Sequence, residues 1–154
     1  MKTVVTTRQI AASPAAVWAV LSDFANIAEW ADNVGHSCLQ HDGPVGTGST
    51  RRVQVGSRAL LETIETWDEG NALSYVIDGL PEPAGRIVNQ WVLSERGTGT
   101  DVSLTTTIDP GGPPPRAAVV GGVLGRVLAK QSESMLEGLD RHLTNIRLAN
   151  GTAR

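Results

Sequence analysis

Apolar side chains follow two different periods along the chain, and the change comes near residue 110. Up to that point, short segments rich in Val, Ile and Thr alternate with clusters of turn residues, which is typical of strands joined by turns. The pattern predicts seven strands, at Thr3–Ala12, Val34–Gln40, Gly48–Val55, Arg58–Trp67, Ala72–Asp78, Arg86–Ser94 and Thr100–Ile108. Because short loops join the last six, we expect an antiparallel sheet.

Two short helices are predicted between the first and second strands. Ser13 is a preferred N-cap residue, and Pro14 suits the first helical position because its missing N–H has no helical partner there. The first helix should cover Ala15–Ser22 and the second Ala25–Trp30. Apolar spacings of three and four give each helix a stripe that can be buried.

The last part of the chain predicts one long helix, from Arg116 to about Ala149, since apolar residues recur there every three to four positions. Gly121, Gly122 and Gly125 fall in its first turns, and each costs about 0.8–1 kcal/mol relative to alanine in a helix. Three explanations are open: a close approach of the sheet, a flexible lid beside the preceding Gly–Pro loop, or a helix that begins only near Gly125.

This order of elements, with one strand, two short helices, six strands and one long helix, predicts an α+β fold. A seven-stranded sheet coils strongly because of its twist, so its concave face can wrap around the long helix. A cavity left between the sheet and that helix would be the default binding site. Residues 1–149 should form a single domain, and residues 150–154 are expected to be a frayed tail.

Composition narrows the class of protein. The chain of 154 residues is 40% hydrophobic and 19% charged, which fits an ordinary globular domain. A net charge of −3 argues against a non-specific nucleic-acid binder, and no apolar run reaches the roughly 20 residues of a membrane span. Cys38 is the single cysteine, so no internal disulfide is possible. We expect a cytoplasmic protein that is a monomer or a homodimer.

Strand alternation and helix periodicity identify side chains that could line the cavity. In the third strand the apolar phase turns Arg51, Val53 and Val55 inward, and in the seventh it turns Leu104 inward. In the sixth strand the pattern does not decide whether Gln90 or its two neighbours face inward. The candidate ligand-binding residues are Trp30, Arg51, Val53, Val55, Glu62, Tyr75, Gln90, Leu104, Leu124, Leu128, Gln131 and Met135.

Three segments carry a resemblance to a known superfamily: Ser13–Phe24 followed by Trp30, then Leu61–Asp68, and the long C-terminal helix. They resemble the START/Bet v 1-like (SRPBCC) superfamily, the helix-grip fold, and most closely its bacterial polyketide cyclase/dehydrase-type branch. The resemblance covers nearly the whole chain. It implies a curved seven-stranded antiparallel sheet around the C-terminal helix, and a carboxylate at Glu62 that faces the cavity. The superfamily has no invariant catalytic motif, so no residue inherits a catalytic role.

Glu62 and Arg51 form the most specific polar pair of the predicted cavity. A buried glutamate is costly unless it is paired, and arginine can pair with it. The pair could orient a polar group on an apolar ligand, or it could be a structural ion pair. His36, Cys38 and His41 lack the second cluster that a structural zinc site needs, and no phosphate-binding or dinucleotide-binding motif is present. We expect no metal and no cofactor.

Three functions remain open at this point. The first is binding or carriage of a small hydrophobic molecule that is lipid-, polyketide- or isoprenoid-like. The second is a polyketide cyclase, aromatase or dehydratase that uses Glu62 as its acid or base, since this chemistry needs such a group near a bound carbonyl. The third is a protein-interaction module.

Overall fold

In the computed structural model, which describes residues 1–81 and 84–152, a curved antiparallel sheet wraps around one long helix. The strands are β1 (Lys2–Ile10), β2 (His36–Leu39), β3 (Thr50–Val55), β4 (Arg58–Asp68), β5 (Ala72–Asp78), β6 (Arg86–Arg96) and β7 (Gly99–Asp109). The helices are α1 (Pro14–Leu21), a 3₁₀ helix (Phe24–Glu29) and α2 (Pro114–Thr152). The predicted α+β helix-grip fold is therefore confirmed.

The order of strands in the sheet is β1-β7-β6-β5-β4-β3-β2, and every neighbouring pair is antiparallel. Each strand from β2 to β6 pairs with the next one along the chain, as hairpin-length loops require. β1 instead pairs with β7, which brings the start of the chain beside its last strand. The concave face carries the core, with Ile64, Tyr75 and Trp91 fully buried against the helices.

The two short helices close one end of the sheet. Ser13 caps α1, because its Oγ accepts a hydrogen bond from the Ala16 N–H at 3.2 Å, and Pro14 begins the helix as predicted. The second helix is 3₁₀ rather than α, and Asn26 has non-helical dihedral angles inside it. Ser37 on β2 holds this helix, since its Oγ donates to the Ala25 carbonyl and accepts from the Ala28 N–H.

Helix α2 begins at Pro114, so the alternative of a start near Gly125 is wrong. Gly121 and Gly125 are buried where the helix crosses the side chain of Lys2, and a Cβ on either glycine would be in contact with that side chain. Close approach of β1 thus explains two of the three glycines, whereas a Cβ on Gly122 would meet open space. No helix in the described part of the chain is long and apolar enough to cross a membrane.

At its other end, α2 extends past the predicted stop and reaches Thr152. Residues 150–152, predicted as part of a tail, are therefore helical, while residues 153–154 of that predicted tail lie outside the described residues. The predicted loop between β5 and β6 also includes residues 82–83, which lie outside the described residues as well.

A bulge in β4 reverses the strand alternation that the sequence predicts. The register shifts between Ile64 and Thr66, so that Ile64 pairs with Tyr75 while Trp67 pairs with Leu73. Leu73 and Tyr75 are both buried on the concave face, which puts Trp67 on that same side. Strict alternation along β4 would place Trp67 on the face opposite Ile64, but the extra residue of the bulge changes the phase.

Candidate functional site

A cavity of about 220 Å³ lies between the concave face of the sheet and α2. Its sheet wall is largely aliphatic, its helix wall comes from α2 between residues 124 and 135, and Ile27 and Val34 close the end near the 3₁₀ helix. The predicted residues that border it are Val53, Val55, Glu62, Leu124, Leu128, Gln131 and Met135. The cavity therefore lies where the helix-grip geometry leaves space between sheet and helix.

Several predicted residues do not border the cavity. Gln90 is exposed on the convex face, because Asn89 and Trp91 take the inward phase of β6. Its inclusion was wrong, and nothing in the local pattern distinguishes the two phases. Trp30 is buried edge-on against Trp91, with the ring centroids 5.7 Å apart. It packs in the core and does not cover a mouth of the cavity.

Tyr75, Leu104 and Arg51 are also buried in the core without bordering the cavity. They share the inward phase of their strands, so the predicted direction of their side chains was right. Space under the sheet is filled beneath these positions by the short helices and by α2 from Met135 onward. Strand alternation predicts that a side chain points inward, but it does not predict which inward side chain meets empty space.

Other wall residues were missed by the sequence analysis. Leu60, Ile77 and Thr106 lie in strand phases that the sequence marks as inward, so a signal for them was present. Asn33 lies in the loop between the 3₁₀ helix and β2, where no periodicity exists. Arg58 borders the cavity from the first position of β4 and is exposed.

Arg51 and Glu62 form a buried ion pair at directly opposed positions of β3 and β4. The Arg51 Nε donates to the Glu62 Oε1 at 2.7 Å, and the two side chains are only 3% and 8% exposed. The Arg51 Nη1 donates to the Phe24 carbonyl oxygen at 3.0 Å. The guanidinium carbon lies 3.7 Å from the ring centroid of Phe24 and 4.7 Å from that of Tyr75, which is cation–π geometry.

This arrangement directs Arg51 away from the cavity and Glu62 toward it. The remaining Arg51 nitrogen, Nη2, is buried and has no hydrogen-bond partner among the described residues. Glu62 borders the cavity, and among residues 1–81 and 84–152 its Oε2 accepts no hydrogen bond. The carboxylate thus has one oxygen fixed by Arg51 and one available to a ligand.

A second group of polar side chains on the concave face forms hydrogen bonds within the group. The Thr106 hydroxyl is 2.6 Å from the Asn89 Oδ1, and the Asn89 Nδ2 and the Trp91 Nε1 donate to the Tyr75 hydroxyl at 3.4 and 3.3 Å. Complete burial and the nearby Glu62 carboxylate raise the pKa of Tyr75 above its ordinary value. Asn89 and Thr106 border the cavity, but they use their polar atoms on each other and on Tyr75.

Asn33 differs from that group. Its Oδ1 is buried without a hydrogen-bond partner in the described part of the chain, and the residue borders the cavity. A buried oxygen of this kind loses its hydrogen bonds to water and gains none from the protein, which costs about 1–3 kcal/mol.

The three residues that raised the question of a metal site do not converge. His36 and His41 are exposed, and the Cys38 Sγ makes only a long contact of 4.0 Å with the Gln40 Nε2. Within the described ranges, no group of three or more His, Cys, Asp or Glu side chains could hold a metal ion.

Comparisons with known proteins agree with this geometry. Residues 1–144 match the model of the family described as polyketide cyclase/dehydrase and lipid transport. The fold superposes on Zhui aromatase/cyclase from Streptomyces sp. R1128 with a TM-score of 0.77, at 16% identity and with 93% of each chain covered. A START superfamily protein from Mycobacterium smegmatis gives a TM-score of 0.77 at 14% identity, covering 95% of this chain and 99% of that one.

Ara h 8.0201 is similar as well, with a TM-score of 0.71 at 13% identity, covering 93% of this chain and 97% of that one. A comparison with curated proteins gives no significant match. At these identities the structural likenesses establish the fold, while the family match spans nearly the whole sequence. The chain belongs to the polyketide cyclase/dehydrase and lipid transport family, with the fold of the START/Bet v 1 superfamily.

Proposed function

We propose that the protein binds and carries a small hydrophobic molecule in the cavity between the sheet and α2. The observation that carries the proposal is the cavity itself, about 220 Å³ of space with largely aliphatic walls. Protein interiors are otherwise packed to the density of organic crystals, so a space of this size in the core is costly unless it is used. The family, which includes lipid transport, supports the same function.

Binding without chemistry is favoured over catalysis by the scarcity of proton-transfer groups. Glu62 is the one carboxylate that borders the cavity in the described part of the chain, and no histidine or cysteine accompanies it there. Arg51, its partner, does not border the cavity. A general acid and a general base acting together would therefore need a second group that this wall does not supply.

Catalysis on a polyketide-like substrate is a second candidate, and one observation favours it. The free oxygen of Glu62 opens into the cavity, where it could take a proton from a carbon next to a carbonyl. Loss of turnover in Glu62→Gln, with binding retained, would support this function. Binding followed by release of an unchanged ligand, in both the wild type and the variant, would exclude it.

We also propose a cytoplasmic protein that is a monomer or a homodimer. The single cysteine, which forms no internal disulfide, supports the first part of this statement. Size-exclusion chromatography with light scattering would measure the second part directly.

The first experiment is native mass spectrometry of freshly purified protein, followed by organic extraction. Leu124→Trp fills the cavity from α2, and Val123→Trp puts the same side chain on the adjacent position, which is 60% exposed. We expect a retained molecule of defined mass in the wild type and in Val123→Trp, and none in Leu124→Trp. Equal retention in both variants would place the ligand elsewhere and overturn the proposal.

A further inference from the structure

The open edge of the cavity carries a cation that binding of a purely apolar molecule would not use. Arg58, the first residue of β4, is exposed and borders the cavity. Its side chain forms no ion pair and no side-chain hydrogen bond with any residue among 1–81 and 84–152, whereas five other arginines each pair with a carboxylate. No other arginine and no lysine of the described ranges borders the cavity.

Strand alternation explains why Arg58 faces the cavity. Arg58, Leu60 and Glu62 take alternate positions of β4, and all three border the cavity. Leu60 and Glu62 are buried while Arg58 is exposed, so the wall runs from a closed inner end to an open outer end. At about 3.3 Å per residue, the Cα atoms of Glu62 and Arg58 are about 13 Å apart.

The two ends of this wall differ in net charge. At the inner end, the Glu62 carboxylate is compensated by Arg51, whose Nε donates to it at 2.7 Å. At the outer end, Arg58 has no such counter-charge in the described part of the chain. The cavity thus presents a neutral pair inside, an aliphatic wall between, and one uncompensated positive charge where it meets solvent.

A neutral donor lies at the same end of the sheet as Arg58. The Gly35 N–H donates to the Gln54 carbonyl at 2.8 Å, and the adjacent Val55 pairs with Arg58 across β3 and β4. Asn33, two residues before Gly35, borders the cavity. Its Nδ2 makes no hydrogen bond with a described residue and, unlike its Oδ1, is not enclosed. This amide can therefore donate to an acceptor group of a ligand.

The volume of the cavity limits the apolar part of the ligand. A dry cavity of about 150 Å³ takes up benzene, and the present one measures about 220 Å³. By proportion, the enclosed space holds about nine non-hydrogen atoms. A charged group is costly to bury, but at the level of Arg58 it would keep contact with water.

We infer that the ligand is a small amphiphile with an anionic group, a carboxylate at the end of an apolar body of about nine non-hydrogen atoms, and that Arg58 binds this group at the open edge of the cavity. The inference rests on the proposed function and adds to it a ligand class and a specificity-determining residue. The apolar body lies along the wall between Arg58 and Glu62.

Three compounds with the same eight-carbon chain test the ligand class, with affinities for the extracted wild-type protein measured by calorimetry. Octanoate carries the negative charge, octan-1-ol is neutral, and octylammonium carries a positive charge. We expect octanoate to bind about 5-fold tighter than octan-1-ol, which is the upper value for an exposed ion pair, and octylammonium to bind least tightly.

The dependence on salt gives a second, independent measurement. Because salt screens exposed charges, the affinity for octanoate should fall as sodium chloride is raised, whereas that for octan-1-ol should not fall. The net charge of −3 would by itself repel octanoate, so screening of that general repulsion would make the affinity rise instead.

Variants of Arg58 locate the effect. Arg58→Met keeps a long apolar stem over the cavity edge without the charge, so it should remove the preference for octanoate and its salt dependence while leaving octan-1-ol unchanged. Arg58→Lys should keep most of the preference. Arg126→Met makes the same change at an exposed position of α2 that does not border the cavity, and it should leave all three affinities unchanged.

The outcomes separate this inference from the proposed function. Equal affinities for octanoate and octan-1-ol, tightest binding of octylammonium, or equal losses in Arg58→Met and Arg126→Met would overturn the inference and leave a hydrophobic carrier. Absence of octanoate binding would also overturn it. If, in addition, neither of the other compounds binds and native mass spectrometry shows no retained molecule, the proposed function fails as well.

Discussion

Replacing Arg51 with methionine removes the cation that holds Glu62 while leaving a long apolar side chain between the two aromatic rings. Four favourable contacts of the guanidinium disappear: the 2.7 Å hydrogen bond to Glu62, the 3.0 Å hydrogen bond to the Phe24 carbonyl, and the stacking on Phe24 and Tyr75. The carboxylate of Glu62, which belongs to a residue only 6% exposed, is left without its counter-charge.

The cost of Arg51→Met should be about 3–5 kcal/mol of unfolding free energy, which is typical when one partner of a buried ion pair is removed. The penalty comes mainly from the stranded carboxylate rather than from the lost attraction. In the double variant Arg51→Met/Glu62→Leu that charge is absent, and apolar replacements of buried pairs are often close to neutral. Both variants lose the hydrogen bond from Arg51 to the Phe24 carbonyl, so this loss does not distinguish them.

We therefore expect the double variant to be more stable than Arg51→Met alone, by about 2 kcal/mol. Urea denaturation followed by tryptophan fluorescence measures both values, since the chain has four tryptophans. The dependence of the unfolding free energy on urea should be the same for all variants, because they expose similar surface on unfolding. A double variant as unstable as Arg51→Met, or a loss under about 1 kcal/mol for Arg51→Met, would refute this account of the pair.

Other predictions concern Tyr75, two glycines of α2 and Glu69. Tyr75 is the single tyrosine, and its pKa in the folded protein is raised above 10.0. The unfolded chain therefore loses this proton first, so the contribution of Tyr75 to the free energy of unfolding should fall as pH rises above about 10. Tyr75→Phe should remove this part of the pH dependence. Tyrosinate absorbance that grows while the protein stays folded would contradict this. Gly138→Ala should destabilise the protein by about 1–3 kcal/mol, because the new Cβ would collide with the Trp30 carbonyl oxygen. Gly122→Ala places its Cβ in open space on the same helix, so it should stabilise the protein by up to about 1 kcal/mol. Equal midpoints of thermal unfolding for the two variants would show that the collision is relieved. In Glu69→Ala, the indole N–H groups of Trp18 and Trp67 lose their acceptor, which lies at 3.1 and 2.7 Å. This substitution should lower the free energy of unfolding by about 1 kcal/mol. An unchanged midpoint of urea denaturation would contradict this prediction.

Much of the fold could be predicted because its signals are local. Turn residues set the strand limits within a few residues, and Ser13-Pro14 set the start of α1. The direction of the Gln90 side chain could not be predicted from local sequence. The two faces of β6 are both rich in aliphatic side chains, so the choice between them is made by register with β5 and β7, which a single strand does not contain.

The site was predicted less well, for physical reasons. The bulge after Ile64 changes the phase of β4 through one extra residue, and no turn signal marks it in the sequence. Asn33 lies in a loop without periodicity, so its buried oxygen is visible only in three dimensions. The empty space itself depends on how far α2 stands from the sheet, which is set by contacts such as that of Gly125 with Lys2.

The hydrogen bond from Arg51 to the Phe24 carbonyl connects the cavity to the 3₁₀ helix. Glu62, Arg51 and the 3₁₀ helix form a continuous chain of hydrogen bonds, and the segment that starts with that helix supplies Ile27 and Val34 to the wall. By linkage, a ligand that binds Glu62 and that wall also stabilises residues 24–34 against local unfolding.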